Sequence, residues 1–196
     1  MKSSSIKRVC VYCGSSPGSQ EAYTAAAREL GKLLAENHIE LVYGGASIGV
    51  MGAVANAVME NGGRVTGIIP HGLFQREVAH EGISSLLVVD SMHERKAIMA
   101  GMADALVTLP GGFGTLEELF EMVTWNQIGI HDKPIFLLNT MGFYNPLLKF
   151  IEHTVTQGFV RRGQESLMRT AENPTELIHL IKTATAGQET YQELRP

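Results

Sequence analysis

Apolar and polar positions follow two rhythms along this chain. Short apolar, β-rich runs read as strands at Ile6 to Cys13, Ile39 to Tyr43, Arg64 to Ile69, Ser84 to Val89, Ala105 to Leu109 and Pro134 to Leu138. Between them lie longer stretches with apolar residues every three or four positions. In Glu21 to Glu36 these are Ala22, Ala26, Leu30 and Leu33, close to the period of an amphipathic helix, with Ser19 as a candidate cap. Further helices are expected at about 49–61, 92–103, 115–128, 144–157 and 174–185. The last opens on Asn173 and Pro174, which suit a cap and a first helical position.

Strands alternating with helices imply a parallel sheet with right-handed crossovers. The strands are nearly continuous in apolar residues, as expected when helices cover both faces. The expectation is therefore a three-layer α/β, Rossmann-like fold with a mostly parallel sheet of six or seven strands. One nucleotide-binding domain should span residues 1–196, with a polar tail from about 185. In such sheets ligands bind at the carboxyl ends of the strands, near the switch in strand order, so chemistry should reside just after each strand.

Composition narrows the function. With 44% hydrophobic residues, 18% charged residues and a net charge of -4, the chain has no general attraction for nucleic acid or an anionic membrane, so a phosphate needs a local site. No stretch approaches the roughly 18 apolar residues of a spanning helix, and a cytoplasmic location is expected. Cys10 and Cys13 fall in an apolar run whose alternation points them to opposite faces, as buried thiols rather than a redox pair. The seven histidines show no metal-ligand spacing, and neither a metal nor a cofactor is expected.

Three glycine-rich turns follow strands. The turn Cys13 to Gly18, with Gly14 and Ser15, is either an anion-facing turn or a tight connection that needs glycine for its backbone. Tyr43 to Gly52 contains Gly44, Gly45, Gly49 and Gly52. It departs from the spacing of a dinucleotide fingerprint, and the next strand ends in Ile68-Ile69-Pro70 where a ribose-binding carboxylate would be needed. Both observations weigh against a nicotinamide-dependent oxidoreductase. In Pro110 to Glu118, the glycines Gly111, Gly112 and Gly114 precede a helix start, where amides, helix dipole and the Thr115 hydroxyl would favour a phosphate dianion.

Several residues allow two readings. Thr115 to Glu118 also fits a capping box in which Glu118 only reaches back to a free amide, and Ser91 to Glu94 fits the same box. Arg95 and Lys96 are either phosphate or ribose ligands, with arginine gripping bidentately, or part of a solvated helix face. Glu77 is either a carboxylate on the rim of the site or a solvated loop charge.

Met92-His93-Glu94-Arg95-Lys96 followed by Pro110-Gly111-Gly112-Phe113-Gly114-Thr115-Leu116-Glu117-Glu118 resembles the LOG ("Lonely guy") family of cytokinin riboside 5′-monophosphate phosphoribohydrolases, often labelled lysine decarboxylases. The resemblance runs from Gly14-Ser15-Ser16 through Tyr43-Gly44-Gly45 to Trp125 and Gly129-Ile130-His131. It implies a homodimer acting on a purine nucleoside 5′-monophosphate, AMP or N6-substituted AMP, to release the base and ribose 5-phosphate. It also implies Arg95 and Glu118 as the catalytic pair, with Glu77, Lys96, Gly111, Gly112, Gly114, Thr115 and Glu117 around the substrate. Gly14, Ser15, Gly44 and Gly45 join them as candidate substrate-binding residues of the first two turns. Where a family member can carry Thr-Gly after the glutamate matching Glu77, this chain has Ala79-His80. The alternative is a nucleotide or molybdenum-cofactor carrier that binds without cutting a bond.

Overall fold

The computed structural model describes residues 6–74 and 79–184. They form one seven-stranded sheet: β1 (Arg8–Tyr12), β2 (Glu40–Tyr43), β3 (Val65–Pro70), β4 (Ser85–Val89), β5 (Ala105–Thr108), β6 (Ile135–Leu138) and β7 (Met168–Ala171). Every pairing is parallel, in the order β4-β3-β2-β1-β5-β6-β7. The helices are α1 (Glu21–Glu36), α2 (Gly49–Glu60), α3 (His71–Phe74), α4 (Met92–Met102), α5 (Phe113–Gln127), α6 (Asn145–Thr156) and α7 (Pro174–Thr183).

Both faces of the sheet are covered except along the edge strand β4, where Leu87 and Val88 are exposed. Leu30, Leu34, Val54 and Ile178 of α1, α2 and α7 bury one face with Val9, Val11 and Leu41. Met99, Leu119, Met122 and Ile151 of α4, α5 and α6 bury the other with Cys10, Tyr12 and Val42. Cys13 belongs to the first cluster and Cys10 to the second, so alternation separates the thiols as expected. Among the described residues no helix is long and apolar enough to cross a membrane.

Three expectations need adjustment. The seventh strand, β7, is four residues long with Arg169 and Thr170 at its centre, too short and polar to stand out as an apolar run. Gln20, not Ser19, is the N-cap residue of α1, and it makes no side-chain cap bond. Helix α5 begins at Phe113 with Gly112 as N-cap, two residues before the expected start, because Phe113 and Gly114 wind into the first turn.

The strand order places the functional edge. The chain winds outward from β1 through β4, then crosses back to lay β5 on the other side of β1. The carboxyl ends of β1 and β5 therefore form the switch point, where successive connections diverge and leave a crevice. Two hydrogen bonds join the emerging turns: Leu109 N–H to the Tyr12 carbonyl at 2.9 Å and Gly14 N–H to the Pro110 carbonyl at 3.2 Å.

Candidate active site

A cavity of about 460 Å³ opens at this switch point, within the ~300–1,000 Å³ usual for small-ligand sites. Its walls include the Cys13–Gly18 turn, Pro110–Thr115, Arg95, Glu117 and Glu118. A larger cleft of about 710 Å³ lies at the amino-end edge, around Lys7, Arg8, Arg64 and Lys182, and none of the described site candidates lines it. The smaller cavity is where strand ends, glycine turns and the paired charges meet.

The glycines of Pro110–Thr115 divide in two. A Cβ on Gly111 would lie 2.1 Å from Thr115 Oγ1 and 2.8 Å from Gly14 N, so this glycine lets the turns of β1 and β5 touch. Among the described residues, a Cβ on Gly112 or Gly114 would meet nothing within 4 Å. No contact with a described residue requires glycine at those two positions, and both line the cavity. The first intrahelical donor is Leu116 N–H, to the Gly112 carbonyl. The amides of Phe113, Gly114 and Thr115 precede it in the first turn, where helix geometry supplies no internal acceptor and the dipole favours an anion.

Because α5 starts at Phe113, Thr115 is its third residue and Glu118 its sixth. The Thr115–Glu118 capping box therefore does not form: Thr115 is inside the helix and Glu118 is a full turn too deep. Glu118 is instead 8% exposed, on the same face as buried Thr115, and lines the cavity. The other box does form in part. Ser91 Oγ accepts from Glu94 N–H at 3.1 Å and the Glu94 carboxylate accepts from Asp90 N–H at 2.9 Å, so Glu94 secures the start of α4.

Arg95 reaches the same cavity from α4 and is 3% exposed. Its Nε donates to the Ile68 carbonyl at 3.1 Å and its Nη2 to the Gly44 carbonyl at 2.8 Å. The Nε–Nη2 edge that could clamp an oxyanion is thus engaged by the ends of β2 and β3, which fix the plane of the guanidinium. Gly44 makes this possible, since a Cβ there would stand 1.9 Å from Nη2. Neither Gly44 nor Gly45 lines the cavity; Gly44 seats Arg95 through its carbonyl, and Gly45 packs against Ile69 and Leu86.

Lys96 is also buried, but its ammonium turns to α5, donating to Glu117 and, at 3.0 Å, to Glu121. Burial alone would lower its pKa; the two carboxylates outweigh burial and raise it. Lys96 does not line the cavity. It ties the start of α4 to the start of α5, one residue along from Arg95 on one side and from Glu118 on the other. Burial first, and then the Glu118 carboxylate, push the Cys13 thiol up against the opposing effect of Arg95, so this cavity-wall cysteine stays a neutral thiol.

Glu77 lies outside the described residues. The remaining candidates converge as follows: Gly14, Ser15, Arg95, Gly111, Gly112, Gly114, Thr115, Glu117 and Glu118 line one cavity, while Lys96, Gly44 and Gly45 support it from outside. The sequence reading did not single out Tyr23, Met51, Leu73, Met92 and Phe143, which add apolar wall. Leu73, Met92 and Phe143 follow β3, β4 and β6, so the strand-end rule could have nominated them; Tyr23 and Met51, inside α1 and α2, required knowledge of helix packing.

Over residues 51–181 the chain matches the model of a family described as possible lysine decarboxylase. It is 51% identical to the cytokinin riboside 5′-monophosphate phosphoribohydrolase LOG of Oryza sativa subsp. japonica, across 89% of this chain and 72% of that protein. It is 49% identical to LOG5 of Arabidopsis thaliana, which carries the same enzyme name, across 91% of this chain and 78% of that protein. The molybdenum cofactor carrier protein of Chlamydomonas reinhardtii superposes with a TM-score of 0.69 at 24% identity, covering 89% of this chain and 95% of that one. At that identity the likeness is one of fold.

Proposed function

This chain belongs to the LOG family, and from that premise we propose that it hydrolyses the N-glycosidic bond of AMP or an N6-substituted AMP, releasing the base and ribose 5-phosphate. The observation that carries the reading is the first turn of α5, with two glycines that no contact among the described residues requires, in one cavity with Arg95 and Glu118.

In this mechanism the α5 amides and Thr115 hold the 5′-phosphate and so align the reacting bond. As the bond from C1′ to the base nitrogen lengthens, positive charge grows on the ribose and negative charge on the base. The Glu118 carboxylate stabilises the ribose charge and orients a water. Arg95, already fixed in plane, offsets the negative charge without reorganising. Water oxygen bonds to C1′, the bonding pair leaves with the base, and the proton released by water ends on the base. Glu117 lines the same wall, and Lys96 acts by keeping it and α5 in register with α4.

A decarboxylase of the pyridoxal type needs an unprotonated lysine to form its Schiff base. Lys96, the lysine nearest the glycine turn, is held protonated by Glu117 and Glu121. That favours the glycosidase chemistry over the decarboxylase description of the family model. We extend the proposal to a single-domain homodimer, supported by Phe113, 94% exposed beside the cavity mouth, and by exposed Ile128 and Ile130 at the end of α5.

Chromatography of incubations with AMP, N6-isopentenyl-AMP, adenosine and ATP tests the reaction. Free base together with ribose 5-phosphate from the monophosphates alone is the expected result. Retention of nucleotide without release from any of them would overturn it in favour of a carrier.

A further inference from the structure

The Ala79-His80 pair, where the family can carry Thr-Gly, has a defined place in the structure. Ala79 forms an antiparallel bridge with Ala46, beyond the end of β2. The His80 amide donates to the Gly45 carbonyl at 2.9 Å, and its ring nitrogen Nε2 meets Asn56 Oδ1 of α2 at 2.8 Å. Burial pushes the His80 imidazole below its usual pKa, and in the tautomer protonated at Nε2 this nitrogen donates to the Asn56 oxygen.

The significance lies one residue away. The Gly44 carbonyl accepts from Arg95 Nη2, yet β2 ends at Tyr43, whose neighbour on β3 is Gly67. Past that point the chain runs through two glycines, the second at φ +81°. Two successive glycines have wide backbone freedom and no side chain to restrain the peptide between them. The Ile68 carbonyl and Met92 Sδ hold the rest of the guanidinium, and residues 79 and 80 add a restraint on the turn that carries its Gly44 partner.

We infer that His80 is a positioning residue for Arg95: its amide bond to Gly45 and its side-chain bond to Asn56 fasten the Gly44–Ala46 turn to α2 and so fix the carbonyl that seats the guanidinium. A glycine at this position would retain the main-chain link but lose the link to α2. The inference rests on the proposed role of Arg95 at the reacting centre.

The test compares His80→Ala, Asn56→Ala, the double variant and His80→Gln, whose amide can still donate to Asn56. Asn56 is exposed, so its truncation leaves the core intact. With AMP as substrate, each alanine variant should lose kcat by about tenfold with little change in KM, since small misplacements at a reacting group cost up to ~100-fold. The double variant should be no worse than either single one, and His80→Gln should recover part of the loss. Arg95 should react faster with phenylglyoxal, read by peptide mass mapping. Folded variants with native kcat and native Arg95 reactivity would overturn the inference. If the native chain releases no base, the hydrolase proposal fails, while Arg95 reactivity still decides for or against the fastening.

Discussion

Helices α2 and α5 both begin at the same sheet edge after glycine-rich turns, yet the two turns use their glycines differently. At α2 the amides of Val50 and Met51 donate to the Gly14 carbonyl at 3.0 and 3.2 Å, so neighbouring backbone occupies that helix start. Gly44 gives room to Arg95, and a Cβ on Gly49 would stand 2.3 Å from the Ser15 carbonyl carbon. At α5 the first-turn residues line the cavity, and a Cβ on Gly112 or Gly114 would meet none of the described residues within 4 Å. Glycine density is therefore a poor guide to phosphate binding. What distinguishes the turns is whether the missing side chain makes room for protein or for a ligand.

The largest effect that would break this comparison belongs to Glu118, on the α5 side. Glu118→Gln should lower kcat for base release by ~100-fold or more with the fold intact, and steady-state kinetics with near-native turnover would remove the carboxylate from the mechanism.

Next come the glycines, which should separate by region. Gly44→Ala forces Arg95 from its seat and should cost about 1–3 kcal/mol of stability together with most activity, read by denaturant melts and turnover. Gly114→Ala should leave stability unchanged or raise it by up to ~1 kcal/mol, since alanine is the better helix former, while weakening AMP binding in calorimetry. Equal destabilisation at both positions would erase the distinction.

Smaller again is the effect of acid. Burial lowers the pKa of His80, and burial followed by the Lys133 charge lowers that of His131. Both folded values lie below the ordinary value of about 6.5, so the unfolded chain takes up protons first. Their contribution to stability is complete above about pH 6.5 and is lost as pH falls through the folded values. The melting temperature should drop between pH 7.5 and 5.5, and His80→Gln should flatten that drop on the α2 side.

The sheet was largely legible because its inner parallel strands, buried on both faces, and the more exposed edge strand β4 alike carry dense apolar runs, and six of the seven strands lie where those runs fall. Polar β7 and the four-residue α3 carry no such pattern. In the site, Arg95, Glu118 and the Pro110–Thr115 turn stood out as strand-end residues. The alternatives at Glu118 could not be separated by spacing alone, since they depend on whether α5 starts at 113 or 115. The seating of Arg95 by Gly44 joins residues 51 positions apart and leaves no local trace. Lys96 stood open between a ligand and a solvated helix face because its charge is visible in sequence while its partners Glu117 and Glu121 on α5 are not.

The most direct test of the central claim, that the open start of α5 captures the 5′-phosphate and uses it to drive base release, compares kcat/KM for AMP and adenosine in the native protein and in Gly112→Ala. Monophosphate preference should be strong in the native chain and fall at least tenfold in the variant, with unchanged melting temperature. An unchanged preference in a folded Gly112→Ala protein would contradict it.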